Sequence, residues 1–241
     1  VEPSCKVFHY GQAIFEGMKA FKDATGDVFL FRPEDNWRRF NESAKRLAMP
    51  EIPKEVFING LKKLVSLDKE WVRFGEGLSL YLRPFMIASE SGVAAAPATE
   101  YKFMVNMSPA FAYYKGDVRV VIASEYSRAA NGGVGFAKAG GNYAAQFYPT
   151  QLAIEKGYNQ VIWTDDNTHE YIEEAGSMNI FVRIDDTLIT SPTSDRILDG
   201  ITRKSIIQLA KDLKINVEER KISVSEVVVA AQSGSLKEMF G

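Results

Sequence analysis

Apolar and polar positions fall into short runs whose period switches between that of a strand and that of a helix. Val28-Phe29-Leu30-Phe31, entered from Gly26-Asp27, has the compact apolar run of a strand opening after a turn. Arg32-Pro33-Glu34-Asp35 places proline and acids where a helix starts, and the pattern carries that helix over 36–47, short of Met49-Pro50. Phe57, Leu61 and Leu64 recur at helical spacing and predict a second helix over 54–67. Strands are expected at 78–84 and 101–107.

The pattern pauses at 113–117, the expected connection between a small N-terminal α/β domain over 1–112 and a second domain over 118–241. A strand is expected at 118–123, followed by Asn131-Gly132-Gly133-Val134-Gly135 and a helix running to about Glu155. Further strands fall at 161–163, 179–182 and 187–190. Ile206, Ile207, Leu209, Ala210 and Leu213 form the apolar side of a strong helix over 202–213. A last helix begins at 225–231. Short strands interleaved with a few helices in two halves predict an α+β or mixed α/β fold. The glycine-rich pieces fit neither a dinucleotide fingerprint nor a phosphate-binding loop ending in Lys-Ser/Thr.

Composition narrows the function classes. The 241 residues are 46% hydrophobic and 25% charged with a net charge of -2, enough for a substantial core and no basic stripe for nucleic acid. One cysteine, Cys5, leaves no intramolecular disulfide or cysteine-based zinc site, and two distant histidines, His9 and His169, make no metal site. No apolar run approaches the length of a membrane span. The expectation is a cytoplasmic protein working on small molecules.

Four pieces carry chemistry. Phe136-Ala137-Lys138-Ala139-Gly140-Gly141-Asn142-Tyr143 sets one lysine among small residues, with a tyrosine hydroxyl five positions on. A lysine amine is a weak nucleophile while protonated, and burial or nearby positive charge favours the form that makes a Schiff base with an aldehyde. The competing reading is a Gly-Gly-Asn turn with a core tyrosine. In Tyr171-Ile172-Glu173-Glu174-Ala175-Gly176-Ser177-Met178-Asn179, one of two adjacent acids could face a pyridine nitrogen and keep it protonated; a solvated acidic turn is the alternative. Asp199-Gly200-Ile201-Thr202-Arg203 starts a helix with free N–H groups that suit an anion, or is a plain cap. Arg38-Arg39 suits phosphate, or is a solvated helix face. Together they are the parts a pyridoxal phosphate enzyme needs.

In order along the chain, His9 to Ala20, Phe31-Arg32-Pro33 with 39–47, Ser79-Leu80-Tyr81-Leu82-Arg83-Pro84, 138–143, 173–181 and 200–203 resemble the branched-chain amino-acid aminotransferases of class IV. The resemblance implies the two-domain D-amino-acid-aminotransferase-like fold (fold type IV), with pyridoxal 5'-phosphate in the interdomain cleft and 118–241 as the cofactor-binding domain. It assigns the Schiff-base lysine to Lys138 and the ring-nitrogen carboxylate to Glu174 rather than Glu173. Tyr143 would meet the ring oxygen, and Arg39 with Ile201 and Thr202 the phosphate. Tyr10, Phe15 and Tyr81 resemble the lining of the branched side-chain pocket, with Arg83 in the same region. A homodimer or higher homo-oligomer is implied, a partner contributing to the site rim.

Relative to the family pattern both ends are short, lacking a segment before Tyr10 and a threonine-rich turn with final strands after Gly241. The expected reaction is reversible amino transfer between leucine, isoleucine or valine and 2-oxoglutarate. The alternatives are a D-amino-acid aminotransferase or an aminodeoxychorismate-lyase-type enzyme on the same fold, or a protein that binds the cofactor without turning over.

Overall fold

In a computed structural model, which describes residues 1–112 and 116–241, the chain divides into one unit of Val1–Gly116 with Ala137–Gly141 and another of Asp117–Phe136 with Asn142–Gly241. Of the expected connection at 113–117, residues 113–115 lie outside the described residues.

The first unit runs α1 (Lys6–Tyr10), β1 (Ala13–Phe15), β2 (Met18–Lys22), β3 (Val28–Leu30), α2 (Pro33–Arg46), α3 (Lys54–Leu67), a 3-10 turn at Lys69–Trp71, β4 (Ser79–Ala88) and β5 (Tyr101–Ala110). Its sheet is organised on β4. One edge of β4 pairs with β5 along its whole length, while the other pairs with β2 around Leu80–Leu82 and with β1 around Phe85–Ile87. β1 and β2 therefore lie end to end along one edge, with Glu16-Gly17 between them. Pro84 stands at that gap. Its carbonyl accepts from the Glu16 N–H at 2.7 Å, but it has no N–H to return, so the ladder lapses where β1 passes into β2.

Alternation along β4 sorts its side chains. Leu80, Leu82 and Met86 are buried with Ile14, Met18, Phe40, Phe57 and Leu61 in the core of this unit. The intervening Tyr81, Arg83 and Phe85 share the opposite, half-buried face. Phe40 seals α2 onto the core, its ring tilted on Phe57 at 5.5 Å and edge-on to Phe103 at 5.6 Å.

The second unit comprises β6 (Val120–Ile122), α4 (Gly140–Ala144) from Asn142 onward, α5 (Phe147–Glu155), β7 (Gln160–Thr164), β8 (Ile172–Ala175), β9 (Met178–Asn179), β10 (Phe181–Ile184), β11 (Thr187–Thr190), α6 (Ile201–Asp212), β12 (Asn216–Glu219), α7 (Val224–Ser233) and β13 (Leu236–Phe240). They form two four-stranded sheets, ordered β6-β7-β8-β9 and β12-β11-β10-β13. Ile162, Ile172, Ile180, Val182, Ile189 and Val227 make one core, and Phe181, Leu188, Ile207 and Ala210 a smaller one under α6.

Two expectations change. The single helix after Lys138 is two, because Pro149 has no N–H to extend α4 and instead occupies the first turn of α5, where none is needed. On α6 only Ile207 and Ala210 of the apolar side are fully buried with Phe181 and Leu188, while Leu209 and Leu213 are exposed. Among the described residues no helix is long and apolar enough to cross a membrane, and no group of metal-ligating side chains gathers.

Candidate active site

Residues 137–141 pack with the first unit although the chain on both sides belongs to the second. Ala139 bridges to Ile14 of β1, and the Lys138 carbonyl accepts from the Phe15 N–H at 3.0 Å. Lys138 Nζ then lies 5.0 Å from the Phe15 ring centroid. The same ring carries the Arg83 guanidinium on its face at 4.4 Å, and Arg83 Nη2 donates to the Tyr81 hydroxyl at 2.8 Å. Strand period two thus brings Tyr81 and Arg83 together, and Phe15 links them to the lysine. A Cβ on Gly17 would stand 2.3 Å from the Tyr81 Oη, so the tyrosine occupies space that only a glycine leaves.

The two helix arginines separate. Arg38 is exposed and pairs with Asp35. Arg39 is buried, and Glu16, with no exposed surface, accepts from its Nε at 2.7 Å and its Nη2 at 2.8 Å. This bidentate contact fixes one edge of the guanidinium plane. Tyr10 closes α1 with its hydroxyl on the Val93 carbonyl.

In the second unit Glu173 and Glu174 are not in a solvated turn but inside β8, every residue of which is buried. Neighbours in a strand point to opposite faces, so the two carboxylates have different partners. Glu173 pairs with Arg196 at 2.5 Å; burial pushes its carboxyl above the usual range, and Arg196 offsets part of that. Glu174 Oε2 pairs with Arg128 Nε at 2.7 Å, while Oε1 accepts from the Leu198 N–H at 2.8 Å and from Asn179 at 3.1 Å.

Asn179 also donates to the Leu198 carbonyl at 2.8 Å, tying the carboxylate to the chain entering α6. Gly200, the residue before α6, approaches so closely that a Cβ there would lie 1.8 Å from Asn179 Oδ1. Beyond it Ile201 is buried and Thr202 exposed in the first turn. Tyr143 is half-buried in α4, beside Asn142, which anchors that turn by donating to the Val134 carbonyl at 2.8 Å.

Of the expected residues, Lys138, Phe15, Tyr81 and Arg83 form one cluster, with Arg39 in the same unit; Glu174, Tyr143, Ile201 and Thr202 belong to the other unit. Three supporting residues had no role in the sequence reading. Glu16 and Asn179 lie inside recognised segments, but nothing local distinguishes a buried acid from a solvated one. Arg128 is a lone arginine among small residues, and its neighbour Asn131-Gly132-Gly133 is the one hint that the backbone is close-packed there. Its Nη2 donates to the Gly135 carbonyl at 3.0 Å and to that of Arg196.

The family model for amino-transferase class IV matches residues 13–240. A probable branched-chain-amino-acid aminotransferase of Staphylococcus epidermidis is 47% identical over 245 aligned residues, covering 100% of this chain and 68% of that one. Branched-chain-amino-acid aminotransferase 2 of Bacillus subtilis is 46% identical, covering 100% and 67%. Among solved structures, the branched-chain aminotransferase of Thermoproteus uzoniensis, determined with norvaline, superposes with a TM-score of 0.84 at 27% identity, covering 100% of this chain and 77% of that one.

Proposed function

The chain belongs to the amino-transferase class IV family, and from that premise we propose that it is a pyridoxal-phosphate-dependent branched-chain amino-acid aminotransferase, exchanging the amino group of leucine, isoleucine or valine with 2-oxoglutarate. The observation that carries the reading is the identity of 46% or more over the whole chain to relatives named for that activity.

The donor chemistry fits the cofactor. An amine beside an aromatic face, a buried carboxylate with a fixed charge partner, and a helix start entered through a glycine match an aldehyde, a basic ring nitrogen and a phosphate respectively. When bound, pyridoxal phosphate supplies the aldehyde that condenses with amines and the ring that accepts the electron pair left at the substrate Cα.

In this proposal Lys138 Nζ would hold the cofactor through its aldehyde and, when free, would carry the proton from the substrate Cα. Glu174, oriented by Arg128, Asn179 and the Leu198 N–H, holds a proton on the ring nitrogen. Tyr143 meets the ring oxygen, and Arg39, Ile201 and Thr202 bind the phosphate. Phe15 and Tyr81 line the aliphatic pocket with Tyr10, and Arg83 borders it. The norvaline in the Thermoproteus uzoniensis relative supports a short aliphatic side chain as the group such a pocket takes. A homodimer or higher homo-oligomer in the cytoplasm, with no nucleic-acid or membrane partner, completes the proposal; the exposed Phe8, Tyr10 and Val93 supply apolar surface for a subunit contact.

The test is the visible absorbance of purified protein with pyridoxal phosphate, before and after L-leucine, L-isoleucine, L-valine, D-alanine or 4-amino-4-deoxychorismate, in parallel with Lys138→Ala. Conversion by leucine, isoleucine and valine, absent in Lys138→Ala, is expected. Conversion by D-alanine alone would move the protein to a D-amino-acid enzyme, and a bound cofactor that no amine converts would leave a non-catalytic binder.

A further inference from the structure

Lys138 is held by its main chain as well as carried on it. Its N–H donates to Ser43 Oγ at 2.9 Å, and the Ser43 hydroxyl donates to the Arg39 carbonyl at 3.0 Å. A hydroxyl has one proton to give, so with that proton committed to Arg39 its oxygen faces Lys138 purely as an acceptor. Ser43 has no exposed surface, which excludes water as a substitute. A mid-helix serine bonding back to the fourth residue before it is ordinary by itself. Here it also accepts from a residue 95 positions away.

The contacts close a circuit inside the first unit. The Lys138 carbonyl accepts from Phe15 N–H, the next residue Glu16 grips Arg39 through two nitrogens, and the Arg39 carbonyl returns through Ser43 to the Lys138 N–H. The lysine backbone is thereby fixed on both sides, and its position is tied to the arginine one helical turn before the serine.

We propose that Ser43 is a positioning residue for the Lys138 amine, holding the lysine main chain to the Arg39-bearing turn of α2 so that Nζ returns to one place each time it is released. The inference rests on the reading of Lys138 as the covalent nucleophile. A lysine side chain has several freely turning bonds, so its tip is reproducibly placed only if its root is rigid. Without the hydroxyl, the Lys138 N–H loses the acceptor that Ser43 provides, and the main chain is free to shift away from α2.

The experiment compares parent, Ser43→Ala, Ser43→Thr and Ser43→Cys by borohydride trapping of pyridoxal phosphate, with mass spectrometry locating the label, alongside amide hydrogen exchange at Lys138 without cofactor and thermal unfolding. The expectation is that Ser43→Ala keeps its fold, exchanges the Lys138 amide about tenfold faster and labels Lys138 about tenfold more slowly, with Ser43→Thr recovering both. KM for leucine stays within about twofold while kcat falls, because Tyr81 and Arg83 are untouched. If Ser43→Ala does not fold, Ser43→Cys, close in size and a weak acceptor, takes its place with the same expectations. Unchanged labelling and exchange in a folded variant overturn the proposal, as does a folded threonine variant as slow as the alanine one. Absence of label on Lys138 in the parent overturns the nucleophile reading instead, and the two failures are thereby told apart.

Discussion

Arg128 and Glu174 form an ion pair with Nε and Oε2 2.7 Å apart and side chains 6% and 3% exposed. Burying two charges together is costly, and removing one partner is costlier still, because the survivor keeps its desolvation penalty without its attraction. Arg128→Met is therefore expected to lose about 3–5 kcal/mol in chemical denaturation, and the double change with Glu174→Gln to recover much of it. A single variant as stable as the parent would mean that water or another cation reaches Glu174.

Gly200 gives a sharper steric test. Asn179 Oδ1 sits 1.8 Å from where a Cβ would be, and the amide of Asn179 ties Glu174 to the Leu198 carbonyl. Gly200→Ala must displace Asn179 and loosen that tie. The expected loss is about 1–3 kcal/mol of stability, with weaker pyridoxal phosphate retention on gel filtration. An alanine variant that retains cofactor like the parent would separate the helix start from cofactor binding.

Much of this was legible because segments with one strong local rule kept it. The helix over 54–67 appears as α3 at Lys54–Leu67 because its apolar spacing agrees with its burial of Phe57 and Leu61. The strand at 78–84 was legible in type but not length, since Pro84 reads as an end while the ladder gap opposite Glu16 lets β4 continue to Ala88. Lys138 stood out from its small neighbours. Its supports Glu16 and Ser43 did not, nor did Arg128 beside Glu174, because these residues acquire meaning only when distant segments meet. The acidic pair shows the same limit. Nothing in two consecutive glutamates announces a buried strand, or that each would find its own arginine on its own face.

Gly17 separates binding from stability. The atom an added Cβ would strike is the tip of Tyr81, which can swing, so Gly17→Ala is expected to cost less than about 1.5 kcal/mol of stability. Swinging Tyr81 breaks its contacts with Arg83 Nε and Nη2. The expected result is a rise of about tenfold in KM for the amino and oxo acids with a smaller change in kcat. A kcat loss with unchanged KM would put Tyr81 in the chemistry rather than the pocket.

Glu173 makes a prediction about pH. Burial raises its carboxyl above the ordinary value of 4.5, with Arg196 pulling the other way and Asp165 and Asp166 adding to the rise. The folded protein therefore holds this proton to higher pH than the unfolded chain. The native state binds more protons in that window, so the contribution is fully present below the unfolded value and is lost as pH rises through the folded one. Glu173→Gln removes the titration while keeping the shape and an acceptor for Arg196. Urea denaturation midpoints taken from about pH 4 to about pH 7 should show the parent losing stability relative to the variant as pH rises. A constant difference across that range would mean that the Arg196 pair just balances burial, and one of opposite slope that the pair outweighs it and keeps Glu173 ionised to lower pH than in the unfolded chain.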